Sequence, residues 1–225
     1  MLTPLPKNVF QFMEWPWSKI EPYYLDLIST DISTSNVHAW LEDWSRLGEL
    51  LYETYERLWI ATTVNTTDDA AKLRFDSFLD EVFPHSQSAD QLLKEKLLKS
   101  GLCPSGFKIP LLNMRAEADI FSEANLPLLT QELKLSNEYD KIFGAQTTTW
   151  EGEEVTLTQL EAVLLDTDRD KREHAWRLIA ERRLADRETT NKLWSEFMNV
   201  RRQITENSNL ADFREYRWQK LHRFD

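Results

Sequence analysis

The sequence predicts an all-α protein of antiparallel helices, several of them long, with one small β-hairpin near residues 146–157. Three observations predict it. Nine Trp, eleven Phe and six Tyr supply large surfaces for a core, while only five Gly and eight Pro leave little material for the turns of a many-stranded fold. Apolar residues recur at three- and four-residue spacing through most of the chain. At 225 residues and 41% hydrophobic content, the chain is large enough for one large helical domain or two small ones.

The opening, residues 4–17, is rich in Pro and aromatics (Phe10, Phe12, Trp15, Trp17), which predicts an extended segment laid over a groove and anchored by its rings. A short helix is predicted from about Glu21-Pro22, because Pro is tolerated in the first helical turn, where its missing N–H has no partner to lose. Ser35 or Thr34 can cap the next helix, in which Val37, Trp40, Leu41, Trp44, Leu47, Leu51, Tyr55, Leu58 and Thr62 form one stripe. A stripe of that period is core rather than a ligand platform. Thr66-Thr-Asp-Asp69 breaks the pattern and caps a helix over 70–83, with Leu73, Phe75, Phe78, Leu79 and Val82 as its apolar set.

Pro84 ends or kinks that helix, and Ser88-Ala-Asp90 begins another through Leu92, Leu93, Leu97 and Leu98, closed by Gly101. Residues 103–106 form a turn in which Cys103 reads as a small buried residue. Helices follow over 111–125 and, opened by Pro127, over 127–143. The β-branched runs on either side of Glu151-Gly-Glu153 form the hairpin. The helical period returns at Leu160, Val163 and Leu164, and Asp166 or Asp168 caps one long helix to about Asn207, whose second half has a Leu193, Phe197, Val200, Ile204 edge. A turn at 207–209 sends a last helix back over 210–224. The domain division predicted is 1–143, a helical region, and 144–225, the hairpin with a long helical hairpin. No residue-specific repeat of 20–50 residues is present.

The net charge of −11 is unevenly placed. Residues 1–165 carry 13 Lys and Arg against 26 Asp and Glu (−13), and residues 166–225 carry 14 against 12 (+2). The basic residues of the last third alternate with acids, the pattern of a solvated, ion-paired helix and not of the clustered basic face that grips phosphates, so nucleic acid is excluded as a partner. A single cysteine rules out an internal disulfide and fits a reducing cytoplasm. The N-terminus has no basic stretch followed by an apolar run, and no run approaches the ~20 apolar residues that span a bilayer, so no membrane association is expected.

Chemistry-bearing motifs are absent. His38, His85, His174 and His222 are far apart in sequence. His174 lies beside Glu173, but the position four residues on, where a helical zinc site needs a second His, is Leu178. There is no nucleophile elbow and no phosphate-binding loop, and Cys103 has no local base. The carboxylate pairs Asp68/Asp69, Glu153/Glu154 and Asp166/Asp168 stand where caps and turns want them. The residues alone therefore describe an acidic helical protein with no catalytic, cofactor-binding or metal-ligating residue to name.

An ordered series of segments adds to this reading. Gly144-Ala-Gln-Thr147, Trp150-Glu-Gly-Glu153, Leu157-Thr-Gln-Leu160, Asp168-Arg169-x-x-Arg172-x-x-Ala175-Trp176 and Phe213-Arg-Glu-Tyr216 through Arg223-Phe224-Asp225 resemble the oligoendopeptidase F family of zinc metallopeptidases. Trp15-Pro-Trp17, Ile20-Glu-Pro-Tyr23 and Val37-x-x-Trp40-Leu-x-x-Trp44-Ser45 are similar to that family's N-terminal region. The resemblance implies a bowl- or clam-shaped, nearly all-α enzyme in which this region forms one wall of a deep channel for oligopeptide substrates. It implies zinc held by an H-E-x-x-H helix and a downstream Glu in the parent protein. That motif is missing from residues 1–225, so no catalytic residue or metal ligand carries over, and the chain alone is expected to be inactive.

No Gly, Asn or Pro follows the last periodic residues Tyr216, Leu221 and Phe224, which leads to the expectation that the chain is the front of a larger protein. A stand-alone helical module that binds peptides or a partner helix is the competing expectation. The −13 balance of residues 1–165 would steer basic peptides toward such a wall, weakly at cellular salt.

Overall fold

The computed structural model describes residues 4–223; Phe224 and Asp225, the end of the last sequence segment, lie outside the described residues. The chain forms helices joined by short turns, with one two-stranded antiparallel sheet, as the composition predicts.

The opening segment is not wholly extended. Asn8 Oδ1 accepts from Phe10 N at 2.8 Å and starts a helical turn, α1 (Val9–Phe12), which drives Phe12 to 1% exposure and leaves Phe10 outside. The next helix, α2 (Trp17–Ser29), begins before Glu21-Pro22, so Pro22 lies inside it. Pro16, extended at φ −70° and ψ 161°, sets the start, and burial of Ile20, Tyr24 and Leu27 on one face offsets the lost bond at Pro22.

The long helix α3 (Val37–Val64) buries ten residues along its length, including Trp40, Trp44, Leu47 and Leu50. Neither Ser35 nor Thr34 caps it. Asn36 fills that position, and its side chain turns back to tie the preceding loop, accepting from Ser33 N (2.7 Å) and donating to the Asp31 carbonyl (2.8 Å). Asp68 caps α4 (Asp69–Glu81) through Ala71 N at 2.9 Å. Phe75, Phe78, Leu79 and Val82 are buried there, but Leu73 stays 71% exposed, one residue off the stripe.

Pro84 does not postpone the next helix to Ser88. It occupies the first turn of α5 (Phe83–Ser100), where no amide bond is lost, and Val82 alone separates the two helices. Gly101 closes α5 in the left-handed conformation, φ 70°. Cys103 is exposed in the following turn rather than buried, because Pro104 takes the inward position. Pro110 likewise falls within the first turn of α6 (Lys108–Ile120), and the rest of the predicted 111–125 helix is a 3-10 turn at Glu123–Asn125. Helix α7 (Leu126–Gly144) is tied to its neighbours by buried polar side chains. Asn137 Nδ2 donates to Thr62 Oγ1 (2.6 Å), and Thr130 Oγ1 donates to the Leu79 carbonyl (3.1 Å).

The hairpin pairs β1 (Thr147–Trp150) with β2 (Glu153–Thr156), Thr147 opposite Thr156 and Trp150 opposite Glu153. Its turn residues Glu151 (φ 51°) and Gly152 (φ 89°) are both left-handed, the two-residue turn that matches strand twist. Thr156 and Gln159 form a reciprocal capping box on α8 (Leu157–Glu161).

Asp168 caps α9 (Arg169–Ala185), with Oδ1 accepting from Asp170 N (2.9 Å) and Lys171 N (3.4 Å). The predicted single helix to Asn207 is interrupted at Asp186, after which α10 (Arg187–Asn207) begins. At the break Asp186 N bonds the Arg183 carbonyl, and Asp186 Oδ2 accepts from Gln146 Nε2 (2.8 Å) and Arg182 Nη1 (2.7 Å). Gln146, 3% exposed at the foot of β1, draws the carboxylate across and bends the ladder there. Asn209 (φ 53°) turns the chain into α11 (Phe213–Lys220), shorter than the predicted 210–224 helix.

Among the described residues, three groups of buried side chains result. The largest joins α1 to α5 around Phe12, Leu47, Phe75 and Leu93. A second joins Ile120, Leu135, the α10 edge and Tyr216. A third holds the hairpin, α8 and α9 around Leu157, Leu160, Ala175 and Ile179. Among the described residues, no helix is long and apolar enough to cross a membrane.

Candidate functional site

Helix α10 turns two adjacent stripes in different directions. Leu193, Phe197, Val200 and Ile204 face inward. Trp194, Met198 and Arg201, displaced by one residue, line a cavity of about 430 Å³ with Leu210 and Phe213 from the chain that returns as α11. Asp212 fixes that return by accepting from Glu215 N at 2.9 Å. A second cavity of about 440 Å³, bounded by Asp212, Arg214 and Trp218, adjoins it along α11.

Arg201 is the organising side chain of the first cavity. Its guanidinium lies 4.7 Å from the Phe197 ring centre, 5.0 Å from Phe213 and 5.9 Å from Trp194, while Nε donates to Glu132 Oε1 on α7 at 2.7 Å. Held by one carboxylate and three rings, it presents a fixed planar donor beside an apolar hollow. Tyr216, behind it, has its pKa pushed up to about 12, chiefly by burial and then by the Glu132 charge. Trp194 is 57% exposed and forms the open edge. These groups can hold an apolar side chain and an acceptor group, and the carboxylates of Glu206 and Asp212 also line the cavity.

A second cluster anchors α11. Lys94 Nζ reaches Asp90 Oδ2 (2.9 Å) and Glu117 Oε2 (2.5 Å), Trp44 Nε1–H donates to Asp90 Oδ1 (2.7 Å), and His222 Nε2 meets Glu117 Oε1 (2.9 Å). Burial pushes the Glu117 carboxyl up. The Lys94 charge and hydrogen bond, the Lys220 charge and the His222 hydrogen bond outweigh it and hold the group below the ordinary carboxylate value. Burial likewise works against the Lys94 ammonium, yet Asp90 and Glu117 raise its pKa overall. Lys220, whose pKa burial lowers, completes a cluster whose charges neutralise one another and whose role is to join α3, α5, α6 and α11.

Most of the remaining residues weighed in the sequence have structural roles. His85 stacks on Trp17 at 5.5 Å, His174 packs on Trp150 at 5.2 Å, and His38 is exposed on α3. Asp68 and Asp168 are caps, and Asp166 Oδ1 accepts from Asp168 N at 2.9 Å. Among the described residues, no group of three or more His, Cys, Asp or Glu could hold a metal ion, so the donor set does not fit a zinc site. The Trp194, Met198, Arg201 stripe was not singled out in the sequence. Its signal is a second helical period beside the core stripe.

No protein-family model matches the chain, and no curated protein matches it in sequence. Solved structures do match it. A protein described as an oligoendopeptidase F, solved at 3.1 Å, superposes with a TM-score of 0.82 at 21% identity over 93% of this chain and 38% of its own. PZ peptidase A, solved with an inhibitor, superposes with a TM-score of 0.84 at 22% identity over 95% of this chain and 40% of its own. A protein described as an oligoendopeptidase F from Bacillus anthracis gives 0.80 at 19% identity over 99% and 41%. At these identities the likeness establishes the fold, and it is the fold that the sequence resemblance implied. The chain spans about two fifths of the length of the structures it matches.

Proposed function

We propose that this chain is the N-terminal, non-catalytic part of a cytoplasmic zinc-dependent oligoendopeptidase that hydrolyses internal bonds of short unfolded peptides, and that it forms one wall of the substrate channel. The observation that carries the reading is the pairing of a near-complete fold match, TM-scores of 0.80–0.84, with coverage of two fifths of each peptidase. Because residues 4–223 do not fit a zinc site, no step of the hydrolysis is placed on them, and the metal and its base belong to the rest of the parent protein. The division into 1–143 and 144–225 is part of the same proposal, the second part leading into the catalytic region. The chain's own contribution is restriction: two helical walls admit an extended peptide and exclude a folded domain. The hollow beside Arg201 is a candidate contact for a side chain on the way through.

An internally quenched, unstructured peptide incubated with the 225-residue chain and with the product of its natural gene tests the proposal. The chain alone is expected to bind no stoichiometric zinc and to leave the peptide intact. The natural product is expected to be much larger than 26.6 kDa, to cleave the peptide, to stop when a chelator is added and to resume when zinc is returned. A natural product that ends at Asp225 overturns the proposal and leaves a peptide- or partner-binding module.

A further inference from the structure

Thr54, at the middle of α3, is 2% exposed, and its hydroxyl is the one buried side-chain polar atom among the described residues without a hydrogen-bond partner. Other threonines on these helices satisfy themselves locally: Thr62 and Thr63 donate to the carbonyls of Trp59 and Ile60, and Thr205 to that of Arg201. Thr54 does not, and it lies in the wall of a cavity of about 420 Å³ between the α1–α2 link, α3 and α4. A buried polar atom with no partner is rare enough to require a physical account.

We propose that this cavity is a binding site for a neutral small molecule with an aromatic body and one hydrogen-bonding group, which the Thr54 hydroxyl recognises. Phe12, Trp15, Ile20, Leu58 and Phe78 wall the space, and its volume is that of a small-ligand site. Charges of both signs, Glu14, Arg74 and Glu81, border it from exposed positions, which favours no net ionic ligand. The hydroxyl itself is solvent-inaccessible as placed. A helical threonine has two favourable χ1 wells, however, so a single rotation carries the hydroxyl to a second staggered position, where it can turn toward an occupant. Filling the cavity then removes both the unpaired polar atom and the empty apolar surface. This site is separate from the Arg201 cavity, and the proposal does not depend on the peptidase reading.

The test compares p-cresol with toluene, which differ by one hydroxyl, binding to the 225-residue chain and to the Thr54→Val and Thr54→Ser variants, followed by two-dimensional amide NMR. Thr54→Val keeps the side-chain shape and removes a hydroxyl that has no partner to lose, so the fold is retained, as circular dichroism would verify. The expected result is saturable shifts at residues around Trp15, Thr54 and Phe78, with p-cresol bound about fivefold more tightly than toluene. Thr54→Ser keeps that preference, and Thr54→Val loses it while still taking up toluene. Absent or non-saturating shifts, as when the hydroxyl simply holds a water, overturn the proposal, and so does an undiminished p-cresol preference in Thr54→Val.

Discussion

Helix α3 and the α9–α10 stretch are both long helical runs, and they are held in opposite ways. The first is 28 residues in one piece and buries ten of them at near-regular spacing. The second is 17 and 21 residues in two pieces, and its first piece buries only Ala175 and Ile179. Helix α9 is bounded instead by ion pairs, the half-exposed Arg177–Glu173 and Arg183–Glu161 and the more buried Arg182–Asp186. The exposed pairs contribute little each. Where core contacts occupy every turn the helical ladder persists. Where they thin out, the tertiary hydrogen bond from Gln146 to Asp186, beside the local Arg182–Asp186 pair, redirects it.

The largest expected effect strikes the first run. Leu47, at 0% exposure in the middle of α3, is replaced by alanine at a cost of about 3–4 kcal/mol, read as a lower denaturant midpoint at unchanged slope. Ile179→Ala in α9 costs roughly 2 kcal/mol, because its small cluster of buried neighbours can close over the gap. An Ile179 loss equal to that of Leu47 would break the contrast. Next in size, Asp186→Ala strands the buried Gln146 amide and costs about 1–2 kcal/mol. If it instead stabilised the chain, the break would be strain and not a designed junction.

The smallest effect depends on pH. Glu117 anchors α11, and its carboxyl is held below the ordinary value, so its stabilising contribution is present above an unfolded value of about 4.3 and is lost as pH falls through the lower folded value. Unfolding free energy followed downward from about pH 6 should therefore fall less steeply in Glu117→Gln than in the native chain. Equal slopes would mean that other carboxylates set the acid sensitivity.

Much of this was legible where local rules act alone. The stripe of α3, the Asp68 and Asp168 caps, the left-handed Gly101 and the Glu151-Gly152 turn each follow from a few neighbouring residues. Pro22 and the Asp186 break misled because tertiary burial of Tyr24 and the distant Gln146 outweigh local preference. Pro84 and Pro110 misled in the other direction, since a proline in the first turn looks in sequence like a stop. The Arg201 hollow was hidden for a different reason. Its walls come from α10 and the 210–213 return, and its anchor Glu132 lies on α7, about 70 positions away.

The break at Asp186 also sets how the molecule opens. The hairpin, α8 and α9 share one small group of four buried side chains that can separate from α10 at this seam without disturbing the twenty buried around α3. Amide hydrogens near Ile179 would then exchange with solvent through a partial opening of low free energy, while those near Leu47 wait for global unfolding. The expected exchange pattern is thus a slow block with a faster flap.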